Sequence, residues 1–140
     1  MKKLFIITAL LLFAGLAFGQ TLQKGNLIGI HVVTVDLKAG VTMDQYIEFF
    51  NEKAKPVWEN ADKEMKIFAV KAIRGENENE FGMLIQYKNE AARNKYYNAD
   101  GSPTEFAVKY QEKLAPINAE MEKFGTWTST YTDWIIQQIE

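Results

Sequence analysis

His31 is the only histidine in the 140-residue chain, and therefore the only side chain whose ordinary pKa lies near neutral pH. It lies within Asn26–Leu37, a run in which both alternating sets of side chains are largely apolar. On a strand of this kind a histidine could serve as a general base or as a haem ligand. The alternative is a packed histidine with a structural hydrogen bond, because no partner for it is evident along the chain.

A second group of candidate residues mixes aromatic and polar side chains at strand spacing. Trp127, Tyr131 and Asp133 share one face of a predicted strand, and Lys71 and Gln86 lie on two others. If these faces point away from the helices, the five residues would line a mostly apolar ligand pocket together with His31. The alternative is that the two aromatic residues pack in an interface and that Lys71 and Asp133 are solvated.

The sequence does not contain the residue patterns of several other kinds of catalytic and metal site. The absence of cysteine excludes thiolate nucleophiles, iron–sulfur clusters and thiolate zinc sites. Neither Ser102 nor Ser129 has the glycine pattern of a nucleophile elbow, and one histidine is a poor basis for zinc. The acidic run 76–80 lacks the turn glycine of a calcium loop and is typical of a solvated hairpin tip. We therefore predict no metal and no cofactor.

Residues 1–19 have the pattern of a secretory signal peptide. Lys2 and Lys3 precede an apolar run, and Ala17 and Gly19 are the small residues before a cleavage position ahead of Gln20. We expect residues 20–140 to form one domain, exported to the periplasm or the outside of a bacterium, without membrane attachment after cleavage. The alternative is an uncleaved anchor.

The overall charge of the predicted domain bears on its partners. Without Lys2 and Lys3 the chain has 14 basic and 18 acidic residues, a net charge of −4. This negative charge argues against a nucleic-acid partner.

Hydrophobic periodicity and capping signals predict the order strand, helix, strand, strand, helix pair, strand. Thr42 and Gln45 predict a capped helix from Met43 to about Asn60, which Pro56 should break near Lys55. Ser102 is the predicted cap of a long helix that ends at Gly125. The predicted strands are Asn26–Leu37, Met65–Arg74, Phe81–Lys88 and Thr126–Gln137, and a short helix covers Glu90–Tyr97.

This order is that of the ferredoxin-like α+β fold, a βαββαβ unit with a four-stranded antiparallel sheet and its helices on one face. The first two strands carry apolar side chains on both faces, so the face without helices would also be apolar. Because a large apolar sheet face is unstable in water, we predict a homodimer in which two sheets pack face to face.

In its order of elements and in a short stretch of sequence, the chain resembles the dimeric α+β barrel superfamily. Ile30-His31-Val32-Val33, followed by Leu37-Lys38-Ala39-Gly40-Val41-Thr42, is similar to the opening of stress-responsive A/B-barrel proteins. The superfamily also includes antibiotic-biosynthesis-type monooxygenases and muconolactone-isomerase-like proteins. The resemblance covers residues 20–140 in architecture and about a dozen residues in sequence, and it brings no catalytic motif.

Three functions remain open. The favoured one is a module that binds a small apolar or aromatic molecule. The resemblance implies the second, a cofactor-independent monooxygenase or isomerase, with His31 as base and Tyr131 or Gln86 orienting the substrate. The third is a protein-interaction module that uses the open sheet face. A perturbed His31 in a closed pocket with a polar partner would favour the enzyme over the binding module.

Overall fold

The computed structural model describes residues 22–78 and 80–137. The strands are β1 (Leu27–Leu37), β2 (Met65–Lys71), β3 (Phe81–Tyr87) and β4 (Gly125–Ile135). They form one sheet in the order β2-β3-β1-β4, in which every neighbouring pair is antiparallel. With helices between β1 and β2 and between β3 and β4, this is the ferredoxin-like α+β fold, and the predicted fold class is confirmed. The predicted signal peptide lies outside the described residues.

The first crossover is one helical rod in three parts, α1 (Met43–Phe49), a π-helical turn (Phe50–Ala54) and α2 (Lys55–Ala61). The predicted capping box is present, because Thr42 Oγ1 accepts from the Gln45 amide and Gln45 Oε1 accepts from the Thr42 amide. Pro56 lies in the first turn of α2, where its missing N–H costs least. The predicted break near Lys55 appears only as a change of helix type, because the rod is continuous there and a π-helical turn, in which Phe50 is completely buried, precedes α2.

The second crossover contains α3 (Glu90–Asn94) and α4 (Glu105–Met121). The prediction that Ser102 caps the long helix is wrong, because Thr104 is the cap and accepts from the Ala107 amide at 3.2 Å. Pro103 pairs with Tyr97 in a short antiparallel bridge that keeps the backbone extended at that point, so α4 begins two residues later. The helix also ends before Gly125, which is the first residue of β4.

The two faces of the sheet differ in what covers them. In all four strands the odd-numbered residues face the helices, and the core forms there around Val33, Tyr46, Phe50, Ile67, Phe81, Leu114 and Met121. The helices cover β3 far better than β4, since six of the seven β3 residues are buried and only Gly125 is buried in β4. The helix side of β4 is therefore accessible.

The even-numbered face carries the exposed apolar surface that the sequence predicts. Ile30, Phe68, Val70 and Trp134 lie on it, and between 39% and 58% of each is exposed.

Within the described residues, no helix is both long and apolar enough to cross a membrane.

Candidate functional site

A cavity of about 260 Å³ lies between the helix side of the sheet and the helices α2 and α4, with α3 at one end. Its wall is rich in aromatic side chains, because it includes every tyrosine of the chain except Tyr46 and every tryptophan except Trp134. The cavity opens beside β4, where Tyr131 is 50% exposed. An aromatic wall with a few polar groups is the usual form of a small-molecule site.

His31 lies in the wall of this cavity, half-buried on β1, with its ring stacked on Tyr131 at a centroid distance of 5.3 Å. Burial lowers the pKa of His31, Asp133 raises it and Arg93 lowers it further, so that the net shift is downward. A Cβ atom at Gly29 would lie 3.1 Å from Asp133 Oδ1 and 3.3 Å from His31 Nε2. The glycine thus leaves room for both side chains. The lowered pKa favours the neutral form of the imidazole.

Arg93 reaches the cavity from α3, and only 9% of its side chain is exposed. Its Nε lies 2.9 Å from Asp133 Oδ2, and its Cζ lies 5.8 Å, 4.6 Å and 5.3 Å from the ring centres of Tyr87, Tyr97 and Tyr131. Burial lowers the pKa of Arg93, but Tyr87 and Asp133 outweigh that effect and raise it. The guanidinium is therefore a charged group inside a largely aromatic environment.

Several aromatic side chains of the inner wall are fixed by hydrogen bonds to other residues. Trp58 Nε1 donates to Asn118 Oδ1 at 3.2 Å, and the Tyr110 hydroxyl donates to the Trp58 carbonyl at 3.4 Å. The Tyr96 hydroxyl donates to Asp62 Oδ2 at 2.5 Å. These rings therefore present their apolar surfaces to the cavity, while their polar atoms are already satisfied.

Three of the predicted site residues, His31, Trp127 and Tyr131, line the cavity together. Asp133 lies beside them as the partner of Arg93. They face the helices, however, so the interpretation that places them on the opposite side of the sheet is wrong. The odd-numbered set of β1 includes Leu27 and Val33, which are buried in the core and hold His31 on the same side.

The structure does not bring Lys71 or Gln86 to the cavity. Lys71 lies at the far end of β2, where its Nζ is 3.2 Å from Asp44 Oδ1. Gln86 lies on the even-numbered face, and its Nε2 donates to Asn26 Oδ1 at 3.0 Å. Lys71 and the Gln86 amide nitrogen thus have partners away from the cavity, whereas Gln86 Oε1 is buried without one.

Sequence reasoning missed Arg93 and most of the aromatic wall. A short helix with a basic residue is typical of a solvated surface, so nothing in 90–94 alone predicts a buried guanidinium. The available signal was the clustering of Tyr87, Tyr96 and Tyr97 on either side of that helix.

Among the described residues, no group of three or more acidic or histidine side chains is placed to hold a metal ion.

No protein-family model matches the chain, and no curated protein matches it. Among solved structures, the chain is similar to a dimeric protein of unknown function with a ferredoxin-like fold from Bacteroides fragilis. The two share 12% sequence identity over 80% of this chain and 97% of that chain, with a TM-score of 0.43. The strand order and antiparallel register of the chain itself carry the assignment, and this protein has a ferredoxin-like α+β fold.

Proposed function

We propose that this protein binds a small apolar or aromatic molecule in the cavity between the helices and the sheet. The observation that carries the proposal is the set of aromatic side chains in a cavity that is lined by both crossovers and all four strands and opens beside β4. The volume of about 260 Å³ suits a ligand about the size of one or two fused rings. As the sequence predicts export, the proposed site of action is the periplasm or the outside of the cell.

Filling the cavity should abolish this binding. Ser129 lines the cavity on β4, whereas its neighbour Thr130 is exposed on the opposite face. We expect Ser129→Phe to weaken the binding of 2-naphthamide by about 10-fold or more, because the added ring occupies the ligand volume. Thr130→Phe is the matched control and should bind like the native protein. Isothermal titration calorimetry measures both affinities.

Equal binding by the Ser129→Phe and Thr130→Phe proteins would contradict the proposed location. Absence of binding by the native protein would contradict the proposed ligand class. Circular dichroism of both variants shows whether each has kept its fold.

A second candidate function is a cofactor-independent monooxygenase or isomerase that acts on an aromatic or ketone-like substrate. The observation that favours it is the position of His31 in the cavity wall. Burial there lowers the pKa of the imidazole and favours its neutral form, which can accept a proton from a bound substrate. Tyr131 remains a candidate for orienting the substrate, because its ring stacks on His31. Gln86 does not, because it lies on the other face of the sheet.

If the protein is such an enzyme, His31→Gln should lower kcat by about 100-fold or more, because the general base is lost. Thr34→Gln, an exposed change on the other face of the same strand, should leave kcat unchanged. Oxygen consumption and product formation with hydroxynaphthalenes measure the rates. Native turnover that survives His31→Gln would eliminate His31 as the base.

We further propose that a second copy of the chain covers the even-numbered face. Its exposed side chains include two large aromatic residues, Phe68 and Trp134. Among the strand residues of that face, the charged ones are Asp36 and Lys66, one of each sign, so two copies would meet without an array of like charges. A different protein on the same face is the alternative.

A further inference from the structure

We infer that the ligand carries a carboxylate group, which Arg93 binds from the cavity side. This inference rests on the proposed function, since it names the chemical class of the molecule that occupies the same cavity. An aromatic monocarboxylate of one or two rings is the ligand that the wall fits best.

The charges of the cavity wall favour an anion. Apart from its tyrosines, the wall contains two ionisable residues, His31 and Arg93, and no aspartate or glutamate of the described chain lines it. Asp133 approaches the guanidinium at Nε and does not line the cavity. Asp133 offsets part of the charge of Arg93 from outside the cavity, and no carboxylate of the described wall competes with a negatively charged ligand group inside it.

The hydrogen bonds of Arg93 are incomplete. A guanidinium has five N–H groups in a planar fork. Asp133 Oδ2 is 2.9 Å from Nε, yet the buried Nε forms no properly directed hydrogen bond. A hydrogen bond with Tyr131 helps to raise the pKa of Arg93. Asp133 therefore occupies the Nε edge of the guanidinium, and the described wall of the cavity contains no carboxylate for its other edge.

The surroundings of Arg93 also fix its orientation. Three tyrosine rings lie within 5.8 Å of Cζ and restrict the side chain, which lowers the entropy lost on binding a ligand. A carboxylate can accept two parallel hydrogen bonds from such a fork. The rest of the ligand would then extend along the rings of Trp58 and Trp127, which pack against each other with their centres 6.4 Å apart and line the same cavity.

The alternative is that Arg93 and Asp133 form only a structural ion pair that joins α3 to β4. A matched pair of probes separates the two explanations. 2-Naphthoate and 2-naphthamide have nearly the same shape and differ in charge. Isothermal titration calorimetry at pH 7.5 should show that the native protein binds 2-naphthoate about 10- to 100-fold more tightly, as for a hydrogen bond to a charged group.

Two variants assign that preference to Arg93. Arg93→Met with Asp133→Asn removes both charges together and leaves no unpaired carboxylate behind. In this double variant the affinity for 2-naphthoate should fall to that for 2-naphthamide, while the affinity for 2-naphthamide changes by less than about threefold. Arg93→Lys keeps the charge without the planar fork, so its preference should be intermediate. It provides the decisive comparison if the double variant does not fold.

The outcomes separate this inference from the proposed function. Equal binding of the two probes by the native protein would overturn the carboxylate inference and leave the ligand site intact. A preference that survives unchanged in the folded double variant would overturn the role of Arg93. One that survives unchanged in Arg93→Lys would overturn the role of its planar fork. If the native protein binds neither probe, the proposed function fails and the inference fails with it.

Discussion

Asp62→Ala should lower the free energy of unfolding by about 3 kcal/mol. Asp62 is only 4% exposed, and its carboxylate accepts hydrogen bonds from the Tyr96 hydroxyl, Lys95 Nζ and the Glu64 amide. Without it, a buried tyrosine hydroxyl beside the cavity is left without its partner. Urea denaturation at pH 7 measures the difference. Asp44→Ala is the control, because Asp44 forms an exposed ion pair and should cost no more than about 1 kcal/mol.

The same carboxylate predicts the direction of the pH dependence. Burial raises the pKa of Asp62, but its hydrogen bonds to Lys95, Tyr96 and the Glu64 amide outweigh that effect, so the folded-state pKa lies below the ordinary value. A lowered folded-state pKa stabilises the protein above the unfolded-state pKa of about 3.9, and the contribution is lost as the pH falls through the folded-state pKa. The native protein and Asp62→Ala should therefore converge in stability under acid conditions. A constant difference from pH 7 to pH 2 would contradict this explanation.

Phe68→Asp should convert the proposed homodimer into a monomer. Phe68 is 46% exposed on the even-numbered face, and a two-fold interface would contain each substitution twice. Losing a large aromatic residue and burying a carboxylate on both sides should raise the dimer dissociation constant about 100-fold or more. Sedimentation velocity across a range of protein concentrations measures the change.

Val108→Asp is the matched control for this change. Val108 is 47% exposed but lies on α4, on the opposite side of the sheet, so that protein should remain a dimer. A native protein that is monomeric at all concentrations would contradict the homodimer. The even-numbered face would then be left to the alternative, a different partner protein.

Local signals in the sequence predicted most of the fold. Thr42 and Gln45 form the predicted capping box, and the predicted break before Pro56 appears as a π-helical turn. The prediction of Ser102 as a helix cap failed because the bridge between Tyr97 and Pro103 delays the helix. A capping pattern in the sequence does not show that Tyr97 and Pro103 pair with each other.

The candidate site was less predictable than the fold. The side-chain alternation of β1 could not tell which face meets the helices, because both sets are largely apolar and a shift of one residue exchanges the faces. The surroundings of Arg93 come from residues 87, 97 and 131, which meet only in the folded protein. His31, Trp127 and Tyr131 could be grouped in advance because strand spacing places aromatic and polar residues on a common face.

The most direct test of the ligand site is to observe the three tryptophan indole N–H signals by nuclear magnetic resonance during a titration with 2-naphthoate. Trp58 and Trp127 line the cavity, whereas Trp134 lies on the even-numbered face. The proposed site predicts that the signals of Trp58 and Trp127 shift together and saturate, while that of Trp134 stays in place. A titration that shifts only Trp134 would place the ligand on the other side of the sheet and contradict the site described here.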